Sequence, residues 1–565
     1  MLFSGYGRGF KSRPLHAGFL GQDTLLVHDE AHLEPAFQKL IEAITKEQER
    51  CKDFMKLRIM EMTATARSDG DSELPLFTDR DRKHPEARKR IEAKKGIILH
   101  PINDEKEIAK EIANCALNHR GSNQAILIYA RSVENVFKIV EQLNKEGLHD
   151  QVQTLTGTLR GLERDALAIN DPVFARFMPI AEDKQEKGEP RTGTVYLVCT
   201  SAGEVGVNIS GDHLVCDLTP FESMAQRFGR VNRFGKSDSQ IDIIHANFQN
   251  IATSKATNSE SIEAEPGNKN AEDTKKKSKN KAKEDSPFNQ ACIRTLSLLQ
   301  KLSRRDDQRY DASPAALNSL PVAERKEAFT PPPVILPTSD ILFDAWALTS
   351  VRKDLPGRPA VADWLHGIAD WESPVTHIAW RDEVALLTND LIEKYKPEEL
   401  IEDYPIKPHE MLQDRTDRVF GNLEKIAKRC PKLNSWIMES DGSIRVLSLH
   451  QLVDESKQKK PVDYLSNRTV LLPPGAGGLD NKGFLDGNAE FAEIRRANYD
   501  VSDRWTDPAN ATLRCRIWDV DEPPNDMRLI RTIDIDPEAE DEGAEEISAR
   551  RYWYWYVRPR SADDD

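Results

Sequence analysis

Residues 195–236 read VYLVCTSAGEVGVNISGDHLVCDLTPFESMAQRFGRVNRFGK, and this stretch decides the fold. It opens with an apolar strand, passes through a hydroxyl-rich turn into a second strand, and ends in a basic helix. Gln226, Arg230 and Arg233 are four and three residues apart, a spacing that predicts one helix face carrying all three, with Gly229 letting that helix approach a partner closely. One amide and two guanidiniums on a common face suit a terminal phosphate and the water that attacks it. Guanidiniums are planar, permanently charged and bidentate, and one placed at a transferring phosphoryl group contributes about 10³ to 10⁵ in rate. A solvated basic helix is the plainer reading, but it requires neither the glycines nor the T-S-A-G-E-V-G-V-N turn that precedes it.

Outward from this block, three further apolar runs have the same character: Thr24 to Val27, Leu57 to Met62 and Ala125 to Tyr129. With Val195 to Cys199 they predict buried parallel strands, because each is a continuous apolar block that stops at polar or glycine residues. PAFQKLIEAITKEQERCKDF (35–54) and SVENVFKIVEQLNKEG (132–147) carry apolar residues at helical steps between them. Strand and helix therefore alternate, as in doubly wound α/β units. The expected organisation is two such units in the first 250 residues with a seam near Lys94 to Ile97, giving segments 1–94 and 95–250.

From about Ser254 the composition changes, with Lys275, Lys276, Lys277, Lys279, Lys281 and Lys283 set among polar residues. Residues 251–287 read as a disordered, lysine-rich linker, either a plain tether or a nucleic-acid-binding tail. Residues 288–565 read as a mixed α+β accessory region. Within it, Tyr552, Trp553, Tyr554, Trp555 and Tyr556 form either a stacking surface for single-stranded bases or a strand with aromatics on both faces.

Bulk properties narrow the function classes. A chain of 565 residues implies roughly three or four domains. A formal net charge of -15 excludes a protein coated in positive charge, so nucleic-acid contact must come from local patches or backbone amides. The seven cysteines include no C-x-x-C pair, which fits a reducing, cytoplasmic setting and neither a zinc knuckle nor a disulfide frame. No run approaches the roughly 18 apolar residues of a membrane span, so no membrane partner is expected.

Three shorter motifs precede the deciding stretch. In TLLVHDEAH (24–32) an apolar strand delivers Asp29, Glu30, Ala31 and His32 at its carboxyl end, where open α/β sheets place ligands. Asp29 suits Mg²⁺ held through its water shell, Glu30 suits acceptance of a proton from attacking water, and His32 suits coupling to the second lobe. An acid cluster at a helix start is the alternative. LRIMEMTATARSDG (57–70) brings Thr63 and Thr65 to a strand end, where hydroxyls can bridge a carboxylate and neighbouring backbone, or form an ordinary polar turn. TLTGTLRGLERD (154–165) places Thr154, Thr156 and Gly157 at a helix entrance with Arg160 and Arg164, an arrangement suited to a phosphodiester backbone.

D-E-A-H, T-A-T, T-S-A-G-E-V-G-V-N and Q-R-F-G-R-V-N-R-F-G stand in the order and approximate spacing of superfamily-two helicase motifs II, III, V and VI. More narrowly, GYGRGFKSRPLHAGFLGQDTLLVHDEAHL and DHLVCDLTPFESMAQRFGRVNRFGK resemble the CRISPR-associated Cas-three helicase family of type I systems, its I-U or I-G subtype in particular. LFDAWALTS and ADWLHGIADW resemble the region that follows its motor. The resemblance implies two RecA-like lobes, the first incomplete here, and ATP-driven movement along single-stranded DNA after recruitment by a crRNA-guided surveillance complex. It further implies a metal-dependent HD nuclease domain that degrades the strand. By the same resemblance Asp29 and Glu30 bind Mg²⁺ and activate water, Thr63 and Thr65 couple hydrolysis to movement, Thr200 and Ser201 touch the DNA backbone, and Gly206 and Asn208 sit near ATP. Gln226, Arg230 and Arg233 complete that site.

One part of the pattern is missing. A complete motor carries G-x-x-x-x-G-K-[S/T], whose amides and lysine cradle phosphates, upstream of D-E-A-H. Only 28 residues precede Asp29, and no complete G-x-x-x-x-G-K-[S/T] occurs: the G-K-S at Gly235 to Ser237 lies downstream of D-E-A-H and has Arg230 where the first glycine is required. The chain therefore reads as an internal piece of a longer protein, with a separate N-terminal motor segment and the HD nuclease as partners. Its first lobe is expected to leave strand edges and an apolar face uncovered. A non-catalytic remnant that binds nucleic acid or a partner is the alternative.

Overall fold

The computed structural model describes residues 13–63, 80, 83–179, 192–204, 206–247, 286–351, 356–369, 373–387, 390–439, 442–503, 514–518, 528–535 and 551–557. They fall into two compact units, one taking Met1–Ala64, Thr158–Ala166 and Pro333–Asp565, the other Thr65–Gly157 and Leu167–Pro332.

The first unit opens with β1 (Leu25–Asp29) and β2 (Arg58–Met62), which pair in parallel with Val27 opposite Met60 and Asp29 opposite Met62. The helix Pro35–Cys51 connects them. Pro35 starts it without leaving an orphaned amide, and Leu40, Ile41 and Ile44 recur on its buried face. Leu26 and Ile59 pack towards Leu40, Ile44, Phe343 and Trp346. The sequence predicts strands buried on both faces, and here the outcome differs. Leu25, Val27, Met60 and Met62 are 58%, 50%, 49% and 39% exposed. Side chains alternate across a strand, so the one layer that covers Leu26 and Ile59 among the described residues buries only one of the two sets.

In the second unit, β3 (Lys94–Ile102), β4 (Ala125–Tyr129), β5 (Val152–Leu155), β6 (Val195–Cys199), β7 (His213–Asp217), β8 (Asp238–Ala246) and β9 (Tyr310–Asp311) form one sheet. Its order is β5-β6-β4-β7-β8-β3-β9, parallel except for β9. Every residue of β4, β6 and β7 is buried. The helices Ile108–Leu117 and Val133–Lys145 cover one face, setting Ile112, Ile139 and Leu143 against Ile126, Ile128 and Val198. Phe174, Phe221, Met224 and Leu299 cover the other, against Leu127, Leu197 and Leu214. Layers on both faces explain why these strands read as unbroken apolar runs, and the unit is the doubly wound α/β fold expected of a RecA-like lobe. The helix Pro287–Gln300, capped by Ser286, belongs to the same core through Leu296, Leu298 and Leu299.

The rest of the first unit holds β10 (Val375–Trp380), β11 (Leu412–Arg415), β12 (Asn434–Met438), β13 (Ile444–Ser448) and β14 (Thr469–Leu472), a mixed sheet in the order β11-β10-β14-β12-β13. β15 (Arg514–Trp518), β16 (Arg528–Ile535) and β17 (Arg551–Val557) form an antiparallel sheet with β17 central. The aromatic run Tyr552–Tyr556 is thus a strand. The lysine-rich stretch 251–285 lies outside the described residues. Among the described residues, no helix is long and apolar enough to cross a membrane.

The exposed face of β1 and β2 should drive self-association. Replacing Val27 and Met60 together by Thr should raise the monomer fraction in light scattering. An unchanged size distribution would show that this face does not drive it.

Candidate functional site

In the second unit the carboxyl ends of β4, β6 and β7 lie side by side and deliver Tyr129, the turn that begins at Thr200, and Asp217. The helix Phe221–Gly229 follows β7 and carries Arg227 into the space behind them. Arg227 is 2% exposed. Its Nε donates to Glu204 Oε1 at 2.8 Å, and its Nη1 donates to Asp217 O at 2.8 Å and to Asp217 Oδ1 at 3.0 Å. The Tyr129 ring lies 5.2 Å from the guanidinium, and the Tyr129 hydroxyl donates to Gly203 O at 2.7 Å. Burial opposes the charge on Arg227, but Glu204 and Asp217 outweigh it and hold the pKa above its ordinary value. The second oxygen of Glu204 accepts from Ser223 Oγ at 2.9 Å, and that of Asp217 from the Arg131 amide at 2.8 Å.

Arg230 and Arg233 grip the same turn from the other side. Arg230 donates twice to Glu204 O, through Nε at 3.0 Å and Nη2 at 2.6 Å, and Arg233 Nη1 donates to Asn208 Oδ1 at 2.8 Å. The expected single helix face through Arg233 is corrected here. The helix stops at Gly229, Arg230 is its C-cap, and Asn232 is left-handed at φ 42°. A step of four and three is compatible with a helix but equally with a turn that folds back. Gln226 is the member of the three inside the helix, and it is half-buried. Close approach at Gly229 is also absent, since a Cβ there meets nothing within 4 Å among the described residues. The glycine with that role is Gly235, whose φ is 63° and whose Cβ would lie 2.0 Å from Lys89 O. Gly206 has φ 76°, which suits the reversal of the turn before Asn208.

The helix is held from below by Lys95. This buried amine donates to Phe228 O at 2.7 Å, at the negative end of the helix, while burial lowers its pKa to about 8.

In the first unit, Asp29 ends β1 and its Oδ1 accepts the Glu30 amide at 3.0 Å. Glu30 is left-handed at φ 50°, and a 3-10 turn Ala31–Leu33 follows. His32 is buried, with Nδ1 2.8 Å from Thr63 Oγ1 and 3.5 Å from Glu30 Oε2. The ends of β1 and β2 are therefore linked by a side-chain hydrogen bond between the D-E-A-H and T-A-T motifs. Thr65 lies outside the described residues. Of the residues assigned to a phosphodiester backbone, Ser201 is exposed, Thr200 is 7% exposed and Thr156 is fully buried. Arg160 is corrected outright. It is 1% exposed and donates to Asn498 O at 2.8 Å and Tyr499 O at 3.0 Å, so it is a structural anchor within its unit.

The donor set bears on Mg²⁺. No group of three or more His, Cys, Asp or Glu among the described residues could hold a metal directly. A lone Asp29 carboxylate at a strand end fits an ion that keeps its waters.

Residues 122–236 match the family model of the CRISPR-associated nuclease/helicase Cas3, C-terminal. That segment is similar to the C-terminal domain of this family. The matched span contains β4, β6, β7, the Arg227 network and both gripping arginines. No curated protein matches the chain. Among solved structures, T. fusca Cas3 with AMPPNP is similar at 11% identity and TM-score 0.40, over 82% of this chain and 52% of that one. A CRISPR RNA-guided surveillance complex in a pre-nicking state is similar at 13% identity and TM-score 0.39, over 82% and 55%. S. cerevisiae Dbp5 bound to RNA and ADP BeF3 is similar at 18% identity and TM-score 0.25, over 42% and 58%. The chain spans about half the length of the T. fusca Cas3 chain it matches.

Sequence reading missed Glu204, Asp217 and Arg227 in the Cas3-like domain. The one available signal was the charged Arg227 between the otherwise apolar Met224 and Phe228 of the helix. Arg227→Ala should lower stability by about 3 to 5 kcal/mol, because two buried carboxylates lose their cation. The urea midpoint measures this, and an unchanged midpoint would remove Arg227 from its structural role. Lys95 sets a pH dependence of known sign. Its folded pKa lies below the ordinary 10.5, so the unfolded chain holds the extra proton between about 8 and 10.5 and stability rises with pH across that window. Lys95→Met should flatten that rise in denaturation curves.

Proposed function

We propose that the chain is the larger part of an ATP-driven motor that moves along single-stranded DNA within a CRISPR interference helicase-nuclease. One observation carries this reading: within the Cas3-like match, the arginines assigned to the phosphate hold the turn assigned to DNA. A ligand that draws Arg230 or Arg233 away must release Glu204 O or Asn208, and with them the segment bearing Thr200 and Ser201. Nucleotide state and DNA grip are thereby joined through hydrogen bonds.

The chemistry assigned to these side chains is hydrolysis of the terminal phosphate of ATP. Glu30 accepts a proton from the attacking water as its oxygen bonds to phosphorus and the bridging P–O bond breaks, leaving ADP and phosphate. His32, 3.5 Å from Glu30, positions that carboxylate, and through Thr63 it links hydrolysis to the end of β2. Thr65 is assigned to the same coupling. Gln226, Arg230 and Arg233 hold the phosphate, with Gly206 and Asn208 beside the nucleotide. Asp29 would hold Mg²⁺ through water, and the ion would neutralise phosphoryl charge. Thr156, Thr200 and Ser201 are assigned to the DNA side. A crRNA-guided surveillance complex, an HD nuclease domain and a segment bearing the phosphate-binding loop are the proposed partners.

The absence of a complete G-x-x-x-x-G-K-[S/T] loop from the 565 residues favours a second reading, a non-catalytic binding fragment. Single-stranded-DNA-stimulated ATP hydrolysis separates the two. The motor reading expects activity when a segment with a phosphate-binding loop is added, lost in Glu30→Gln and Arg230→Ala. No activity in any mixture would favour the binding fragment, and activity of the chain alone would overturn the need for that segment.

A further inference from the structure

We propose that Arg90 is a third guanidinium of the phosphate-binding face formed by Arg230 and Arg233, so that the second unit holds an inorganic polyphosphate chain, such as the tail of a nucleoside triphosphate. The inference rests on the phosphate reading of Arg230 and Arg233 given above, and extends it to a residue in none of the motifs.

Arg90 lies at the end of the helix Pro85–Ile91. Backbone contact fixes that helix end against the Arg233–Lys236 turn, because the Gly235 Cβ position is 2.0 Å from Lys89 O. Only glycine tolerates both this approach and the left-handed φ of 63°. The contact sets the Arg90 guanidinium 5.5 Å from the centroid of the half-buried Phe234 ring, with Lys236 Nζ 5.9 Å from the same ring. Charge on Arg233 is disfavoured by burial, by Arg230 and by Arg90, so the three cations share one region.

The neighbours on the same helix show what an ordinary surface does with such charge. Arg88 Nε bonds Glu92 at 3.1 Å, and Lys89 bonds Glu86 at 2.9 Å. Arg90, Arg230 and Arg233 make no ion pair with a carboxylate among the described residues. Like charges held together without a carboxylate in direct contact repel one another, and an anion that binds between them relieves that repulsion. Three planar forks can bond several phosphoryl oxygens at once, which selects a compact polyphosphate over an isolated phosphodiester.

The test titrates inorganic tripolyphosphate into the full chain by calorimetry, with a single-stranded oligonucleotide as a second probe. Arg90→Gln should weaken tripolyphosphate binding about tenfold, the effect of losing one hydrogen-bonded charge partner. Arg90→Lys should recover part of the loss, and Arg88→Gln should bind as wild type. Protection of Arg90 from phenylglyoxal by tripolyphosphate reads the same contact in the unmutated protein, so misfolding of a variant cannot mask the result. If Arg233→Gln loses binding while Arg90→Gln does not and Arg90 is unprotected, the assignment of Arg90 is overturned and the phosphate reading survives. If Arg90→Gln weakens only oligonucleotide binding, the polyphosphate assignment is overturned. If wild type does not bind tripolyphosphate, or Arg233→Gln leaves binding unchanged, the phosphate reading itself fails.

Discussion

A guanidinium removed from water loses several kcal/mol of hydration, and only close carboxylates and ring faces replace it. Arg227 is in that position, 2% exposed between Glu204 and Asp217 and beside Tyr129. Its partners come from the end of β4, the turn after β6 and the end of β7. Satisfying one side chain therefore sets three separate pieces of backbone at fixed positions. Glu204 is then presented so that its carbonyl can receive Arg230, and the turn so that Asn208 can receive Arg233. The outer arginines have a defined geometry because the inner one leaves the turn little freedom.

The first unit uses the same device. Arg381 is fully buried, bonding Glu383 at 3.2 Å and Glu410 at 2.5 Å. Arg516 on β15 reaches Glu383 at 2.9 Å and Asp500 at 2.8 Å. Burial opposes charge on Asp500, yet Arg516 and Arg381 keep its carboxyl well below the usual range. One buried ionic cluster thus ties β15 to the end of β10. Such clusters contribute less to net stability than to choosing one arrangement, because any misalignment leaves a charge buried without its partner.

The link between His32 and Thr63 is smaller in energy but occupies a revealing place. Parallel pairing sets Asp29 opposite Met62, so the residues just beyond both strands are brought together by register alone. A left-handed Glu30 turns the chain so that the His32 ring faces Thr63. Two motifs separated by a helix and a strand become one hydrogen-bonded unit.

The amino-acid sequence by itself determined the α/β class, the strands Ala125–Tyr129 and Val195–Cys199, and the residues of the turn and helix that follow, because local apolar runs and their polar ends are properties of a short window. It also brought Arg230 to notice by residue type, and Asn208 through family resemblance. Only the tertiary structure decided which face of β1 and β2 is covered, since burial depends on what lies across the sheet. The helix end at Gly229 was equally hidden, because the left-handed Asn232 that turns the chain back beyond the Arg230 cap is held by its neighbours. Arg160 reads as a surface cation until Asn498 and Tyr499 are brought beside it. Glu204, Asp217 and Arg90 carry no local signature, and Arg227 only that of a charge among apolar helix positions, since what distinguishes them is the partner each meets, and those partners become neighbours only when the chain has folded.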